Sequence, residues 1–224
     1  MTVLREDICS IPVSEIFEEK DGCPVCAMLK TLEEHLVDYV TGAAMMEPDV
    51  RVETNRAGFC GRHISQMLDK QKRLSVALTL ESHLAELEKA IFGGIIKLNK
   101  GNKASSLAKS CFVCDKVNWA MERQIVTVCR LYDKEKDFRI LFAEQEFFCL
   151  NHYALLLESG QREISKRFFS EFKADLDKIT KTYLSTLHAD VSHFCSMFDY
   201  RNSEGDWGNS KDSLERAALF LNGV

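Results

Sequence analysis

Cysteine and histidine side chains occur in this sequence in short pairs of the kind that bind metal ions. Each of two C-x-x-C pairs is followed, after 33 or 34 residues, by a C-x-x-H pair. The pairs are Cys23/Cys26 with Cys60/His63, and Cys111/Cys114 with Cys149/His152. Two ligands three residues apart share one face of a helix, so both members of a pair can bind the same ion.

Three cysteines and one histidine complete the tetrahedral coordination of zinc and leave no open position for a catalytic water, which is typical of structural sites. Pairing each C-x-x-C with the C-x-x-H that follows it predicts two such sites, two zinc ions per chain. One quartet is Cys23, Cys26, Cys60 and His63, and the other is Cys111, Cys114, Cys149 and His152.

Other chemistries fit the same residues. An iron–sulfur cluster is disfavoured relative to zinc because clusters are more often held by cysteines alone. A degenerate repeat that has lost its metal is a further alternative. Thiol redox exchange is chemically reasonable for a C-x-x-C at a helix start, where thiol pKa values are lowered, but the alternating strands and helices of thioredoxin are absent.

Composition and charge indicate the cellular compartment of the protein and the class of partner that it can bind. The 224 residues include nine cysteines, carry a net charge of −5 and contain no apolar run long enough for a membrane span. The first 14 residues lack a signal peptide pattern, so we expect a cytoplasmic protein, where cysteine pairs more often bind metal than form disulfides. The negative charge argues against nucleic acid as a partner, and the basic segment 100–136 is interpreted as solvated surface.

Apolar residues recur at helical spacing throughout the chain, which predicts an all-α fold built as a duplicated helical bundle, each copy pinned by a metal site of three cysteines and one histidine. Pro24 suits the first turn of a helix that runs to Val40, and a second helix is expected from Cys111 to Leu131. Longer helical stretches follow the C-x-x-H pairs, at 64–98 and 153–187. A weak alternation at Val50–Glu53 allows at most a short ribbon.

The expected domains are a first metal-binding repeat over 1–100, a second over 101–195, and a C-terminal segment over 196–224. The polar segment 99–110 is predicted to be the linker, with the boundary near Gly101. Residues 200–209 are rich in turn formers, and an amphipathic helix at 212–221 is expected to dock onto the bundle.

The remaining candidates for chemistry have weaker patterns. Cys9, Cys129 and Cys195 have no neighbours at ligand spacing and are predicted to be small buried apolar residues. No phosphate-binding glycine loop, Ser/His/Asp set or H-E-x-x-H motif is present. The sequence therefore favours a non-enzymatic protein and predicts no catalytic residue.

The doubled motif is accompanied by a distinctive ending. It contains Phe198-Asp199-Tyr200-Arg201-Asn202, then Glu215-Arg216-Ala217, and finally Leu221-Asn222-Gly223. Together these features resemble an uncharacterised bacterial domain-of-unknown-function family of anaerobes, over nearly the whole chain. The resemblance implies a bacterial cytosolic protein, and it implies no activity.

The sequence thus predicts a non-enzymatic zinc-binding helical protein that acts as an interaction or adaptor module. Its partner is expected to be a protein, which the sequence does not identify, and a homodimer is one form this could take. The alternative is a thiol- or metal-responsive redox sensor or an iron–sulfur protein, which would need at least one accessible, labile site.

Overall fold

The computed structural model describes residues 10–93, 100–202 and 205–223, and every regular element within these ranges is helical. The predicted all-α class is confirmed. The α-helices are α1 (Ile11–Glu19), α2 (Pro24–Thr41), α3 (Pro48–Ala57), α4 (Gly61–Asp69), α5 (Arg73–Phe92), α6 (Lys100–Lys109), α7 (Phe112–Lys134), α8 (Lys136–Ala143), α9 (Leu150–Glu163), α10 (Lys166–Ser196) and α11 (Ser213–Asn222). Short 3-10 turns occupy Ala43–Met46, Tyr200–Asn202 and Gly208–Ser210. In the part of the chain so described, no helix combines the length and the apolar character that crossing a membrane requires.

The prolines of the chain mark the first turns of helices. All three prolines of the chain lie in the first turn of a helix, Pro12 in α1, Pro24 in α2 and Pro48 in α3. Proline is tolerated there because the first backbone N–H groups of a helix have no partner within it, and its fixed φ suits the helical backbone. The predicted helix start at Pro24 is confirmed.

Several predicted elements differ in detail. The segment expected to be a linker forms α6, whose Ala104 and Leu107 are half-buried while most of its residues are exposed, so its sequence pattern is weak. Val50–Glu53, the weak strand candidate, lies inside α3. The stretches after the C-x-x-H pairs each divide into two helices, α4 with α5 and α9 with α10. The expected end of the first stretch at Leu98 lies outside the described residues.

The chain forms two compact units. The first comprises residues 1–30 and 122–224, and the second comprises residues 31–121. This division differs from the expected repeats over 1–100 and 101–195, since the first unit takes segments from both ends of the chain. Helices α2 and α7 each contribute residues to both units.

The core of the first unit is aromatic. Phe17 of α1 lies 5.1 Å from Phe138 of α8, measured between ring centroids, and Phe142 stacks on Phe148 at 5.0 Å. These side chains are fully buried. Burying a phenylalanine contributes about 1.5–3 kcal/mol relative to exposing it, so this cluster is a large part of what holds the helices of this unit together. The predicted C-terminal helix is present as α11, which packs on α9 and α10.

The second unit is organised around α3 and α5, which pack along one another. Its buried side chains include Val37 and Val40 of α2, Met67 of α4 and Val76 of α5. The rings of Phe59 and Phe112 meet edge to face at 6.5 Å. Because Phe59 precedes Cys60 and Phe112 follows Cys111, this contact brings the starts of α4 and α7 together.

Tyr132 allows the aromatic core to be tested. Its fully buried ring carries a hydroxyl that donates to Asp175 Oδ2 at 2.6 Å, and burial together with that carboxylate raises the pKa of Tyr132. We expect Tyr132→Phe to reduce the free energy of unfolding by about 1.5–3 kcal/mol, measured by urea denaturation, because it removes a hydrogen bond to a charged group.

Tyr153→Phe is the matched control. The Tyr153 hydroxyl donates to Asp177 Oδ1 at 2.7 Å, but this side chain is only half-buried. Water can replace that bond, so we expect a loss below about 1 kcal/mol. Equal effects of the two substitutions would contradict the assignment of Tyr132 to the buried core.

Candidate metal centres

The eight predicted ligands gather into two groups in which the ligand atoms all lie within 4.8 Å of one another. Centre A consists of Cys23, Cys26, Cys149 and His152. Centre B consists of Cys60, His63, Cys111 and Cys114. Centre A lies wholly within the first unit and centre B wholly within the second.

The residues within each group differ from the predicted quartets. Each C-x-x-C lies with the C-x-x-H of the other half of the chain, so the predicted quartets Cys23/Cys26/Cys60/His63 and Cys111/Cys114/Cys149/His152 do not form. Two groups of three cysteines and one histidine are nevertheless present.

Helix lengths give a physical reason for this exchange. The 18 residues of α2 extend about 27 Å, whereas the 10 residues of α3 return only about 15 Å, at 1.5 Å per helical residue. The C-x-x-H that follows α3 therefore reaches the middle of α2, and not its start. His63 indeed meets Glu33, the tenth residue of α2.

All four pairs occupy the same position at a helix start. The first residue of each pair directly precedes the first helical residue, and the second is the third residue of the helix. Cys60 and Cys149 are the N-cap residues of α4 and α9, both with extended backbone. In centre B the backbone N–H of Cys114 donates to Cys111 Sγ at 3.5 Å.

Two helix N-termini thus point at each centre, α2 and α9 at centre A, and α4 and α7 at centre B. The free N–H groups and the positive end of the helix dipole favour negative charge there. They therefore stabilise cysteine thiolates, the form that binds metal.

The spacing of the donor atoms matches a tetrahedral zinc site. Zn–S bonds of about 2.3 Å and Zn–N bonds of about 2.0–2.1 Å place two sulfurs about 3.8 Å apart, and a sulfur and a nitrogen about 3.6 Å apart. Cys26 Sγ and Cys149 Sγ are separated by 3.7 Å, and Cys60 Sγ and Cys114 Sγ by 3.8 Å. The histidine Nδ1 atoms lie 3.2–3.6 Å from the sulfurs.

The side chains of centre A shift one another's pKa values in opposite directions. Hydrogen bonds from the Cys23 and Cys26 thiols, and then from His152, hold the pKa of Cys149 far below its ordinary range. Burial opposes a charged imidazole, but hydrogen bonds to Cys149 and Cys26 outweigh it and raise the pKa of His152 to about 9. A metal ion that bound at this centre would displace these protons, so its binding would weaken as the pH falls.

In centre B the histidine is ready to act as a ligand. Burial and the neighbouring Arg62 charge lower the pKa of His63, so its imidazole is neutral at pH 7. Burial raises the pKa of Cys60, but backbone N–H groups and the other two cysteines lower it by more. Burial and then Cys111 raise the pKa of Cys114 to about 12.

Two glycines allow the chain to approach the centres closely. Gly58 has φ of 62°, its carbonyl accepts the N–H of Phe112 at 2.9 Å, and a Cβ there would lie 2.4 Å from His83 Nε2. Gly223, with φ of 72°, lies so close to centre A that a Cβ would be 3.4 Å from Cys149 Sγ. The C-terminal helix therefore ends against the sulfurs of centre A.

The three remaining cysteines have different environments. Cys129 is fully buried, as predicted, whereas Cys195 is exposed near the end of α10, so the prediction of a buried residue is wrong there. Cys9 lies outside the described residues. Glu33 is a further residue of centre B, a buried carboxylate beside His63, although adjacent glutamates such as Glu33 and Glu34 are typical of a solvated helix face.

Comparison with known proteins identifies the family of this chain. The profile of DUF6062, a family of unknown function, matches residues 4–224. The chain belongs to this family. No curated protein and no solved structure matches the chain. Membership in DUF6062 confirms that the chain belongs to a family of unknown function, as the resemblance implied, while the bacterial source stays a prediction.

The pairing of the ligands can be tested by counting ions in double variants. We expect Cys26→Ser with Cys149→Ser to lose one metal ion per chain, because both residues belong to centre A. Cys26→Ser with Cys60→Ser should lose both ions, one from each centre. Native mass spectrometry measures the count. The reverse result, two ions lost in the first variant and one in the second, would restore the pairing predicted from the sequence.

Proposed function

We propose that the protein binds two zinc ions, one in centre A and one in centre B, and that both ions are structural. The observation that carries this proposal is the convergence of three sulfurs and one imidazole nitrogen at tetrahedral spacing in each centre. Such a set occupies every position around zinc, so the metal holds helices together and activates no water.

Zinc is favoured over other metals by the donor set. Thiolates and imidazole together suit zinc, whereas magnesium and calcium take oxygen ligands. Iron–sulfur clusters are more often bound by cysteines alone, and a cluster is also bulkier than a single ion. Ligand atoms within 4.8 Å of one another support a site for one ion.

A non-enzymatic role as an interaction or adaptor module fits a closed metal site best. We propose a cytoplasmic protein whose partner is another protein or a second copy of the chain. Large apolar side chains exposed along α5, including Leu74, Leu84 and Phe92, support a protein partner because such residues pack well in protein interfaces. A net charge of −5, made more negative by zinc ions that are each bound to three thiolates, supports a partner other than nucleic acid.

Metal content is the first measurement. Protein purified without added metal and without a histidine tag should contain about two zinc ions per chain by elemental analysis. Removing them with a strong chelator should reduce the helical circular dichroism signal, since metal binding and folding are coupled, and adding zinc back should restore it. Iron with visible absorbance, or freshly purified reduced protein without metal, would contradict the proposal.

A thiol-responsive role is a second candidate, and one observation favours it. Cys60 and Cys114 are only half-buried, and their sulfurs are 3.8 Å apart, whereas the three cysteines of centre A are buried. One peroxide molecule could take two electrons from these two thiolates, which would form one disulfide and two hydroxide ions and release the metal.

Under this second role, micromolar hydrogen peroxide should release one zinc ion per chain, from centre B, as measured with a zinc-sensitive dye. Cys60→Ser already lacks a ligand of centre B, so peroxide should release no further zinc from that variant at the same dose. Release of zinc only at millimolar peroxide would favour two inert structural ions and exclude the sensor.

A further inference from the structure

A buried carboxylate stands directly behind the histidine of centre B. Glu33 of α2 is 8% exposed and faces the first two turns of α4. Its Oε1 atom forms an ion pair with Arg62 and lies 3.7 Å from His63 Nε2. Its Oε2 atom accepts a hydrogen bond from Gln66 Nε2 at 3.5 Å. Glu33 is therefore held from two sides and has one oxygen directed at the imidazole.

The imidazole of His63 needs such a partner. The side chain is fully buried, and its Nε2 atom has no hydrogen-bond partner among the described residues. Its Nδ1 atom lies 3.2 Å from Cys60 Sγ and 3.2 Å from Cys111 Sγ, which makes Nδ1 the metal-binding atom. When Nδ1 binds a metal, the ring proton must reside on Nε2, and a buried N–H without an acceptor is costly.

We propose that Glu33 is a positioning residue of centre B that accepts a hydrogen bond from the Nε2–H of His63 and so presents Nδ1 to the metal. This inference rests on the proposed zinc binding. A short rotation of the ring or of the carboxylate closes the 3.7 Å separation to hydrogen-bond distance. The carboxylate fixes the tautomer and increases the electron density that the imidazole offers to zinc, the usual role of a carboxylate behind a metal-bound histidine.

Arg62 completes the arrangement. It directly precedes His63, and its guanidinium holds the carboxylate in place from the solvent side, where 55% of the Arg62 side chain is exposed. The positive charge offsets the cost of keeping an ionised Glu33 nearly buried. The exposed guanidinium can also remain hydrated if Glu33 is replaced, which makes variants at this position tolerable for folding.

The second half of the sequence has no carboxylate at the corresponding place. Glu33 stands ten residues after Cys23, and Met121 stands ten residues after Cys111. The two centres share a ligand set but differ in this support for the histidine. Replacing Glu33 by methionine therefore gives centre B the residue type that the other half of the sequence carries.

The test measures zinc affinity in the full chain by competition with a chromophoric chelator. Replacing a carboxylate behind a metal-bound histidine typically weakens metal binding about 10- to 100-fold. We expect Glu33→Met to weaken one of the two zinc ions by that factor and to leave the other unchanged. Glu33→Gln, which keeps an acceptor without its charge, should give a smaller loss. Glu34→Gln alters an exposed neighbour and should change neither affinity.

Two further measurements separate positioning from a role in folding. In the Cys26→Ser/Cys149→Ser background, which retains only centre B, the Glu33→Met loss should appear in the single remaining ion. The cobalt-substituted protein should keep the visible bands of a three-sulfur, one-nitrogen site, because no ligand is removed.

Unchanged affinity of both ions in Glu33→Met would overturn the inference, as would equal weakening of both, which would assign Glu33 to the fold in general. Failure of the broader proposal looks different, since the unaltered chain would then bind no zinc at all. A chain that binds two zinc ions but is insensitive to Glu33→Met would lose only the role of Glu33.

Discussion

The rest of the structure depends on the meeting of two helix N-termini at each cysteine-histidine group. Helices that converge end to end bring together backbone N–H groups without partners and two positive dipole ends, an arrangement that is unfavourable by itself. Cysteine thiolates offset this cost, because they supply negative charge and sulfur acceptors directly before each helix and, in α2 and α7, also at the third helical residue. Each group could hold one metal ion, which would join the two helix starts that meet there.

Much of this could be predicted from the sequence because ligand pairs and helix starts are local features. The three prolines, the three-residue spacing of the ligands and the apolar periodicity specify where helices begin and which side chains share a face. The pairing of the ligands could not be predicted in this way, since it depends on how far α3 returns along α2. The distance that the chain returns depends on whether residues 47–58 are helical or extended. Val50 and Val52 alternate with charged residues in this segment, and that pattern does not predict a helix.

The features that sequence reasoning missed are those defined only by tertiary contacts. Glu33 has the same surroundings in sequence as its exposed neighbour Glu34, and only the position of α4 makes one of them the partner of a histidine. Helix α6 was missed for a related reason, because its few half-buried residues leave a faint amphipathic pattern.

The two centres likewise differ in burial although their motifs are alike. Cys60 and Cys114 are half-buried, whereas the cysteines of centre A are buried and Gly223, at the end of α11, lies against two of their sulfurs.

The order of the ligands along the chain nests one centre inside the other. Cys26 and Cys149 of centre A are 123 residues apart, and Cys60 and Cys114 of centre B, 54 residues apart, lie between them. On a ribosome that adds about 5–20 residues per second, Cys23 and Cys26 wait roughly 6–25 s for Cys149 to be made. During much of that wait the nearest available clamp is Cys60/His63, which belongs to the other centre. A nascent chain that took up an ion at this stage would assemble a wrong quartet first, and reaching the native one would then require ligands to exchange on that ion.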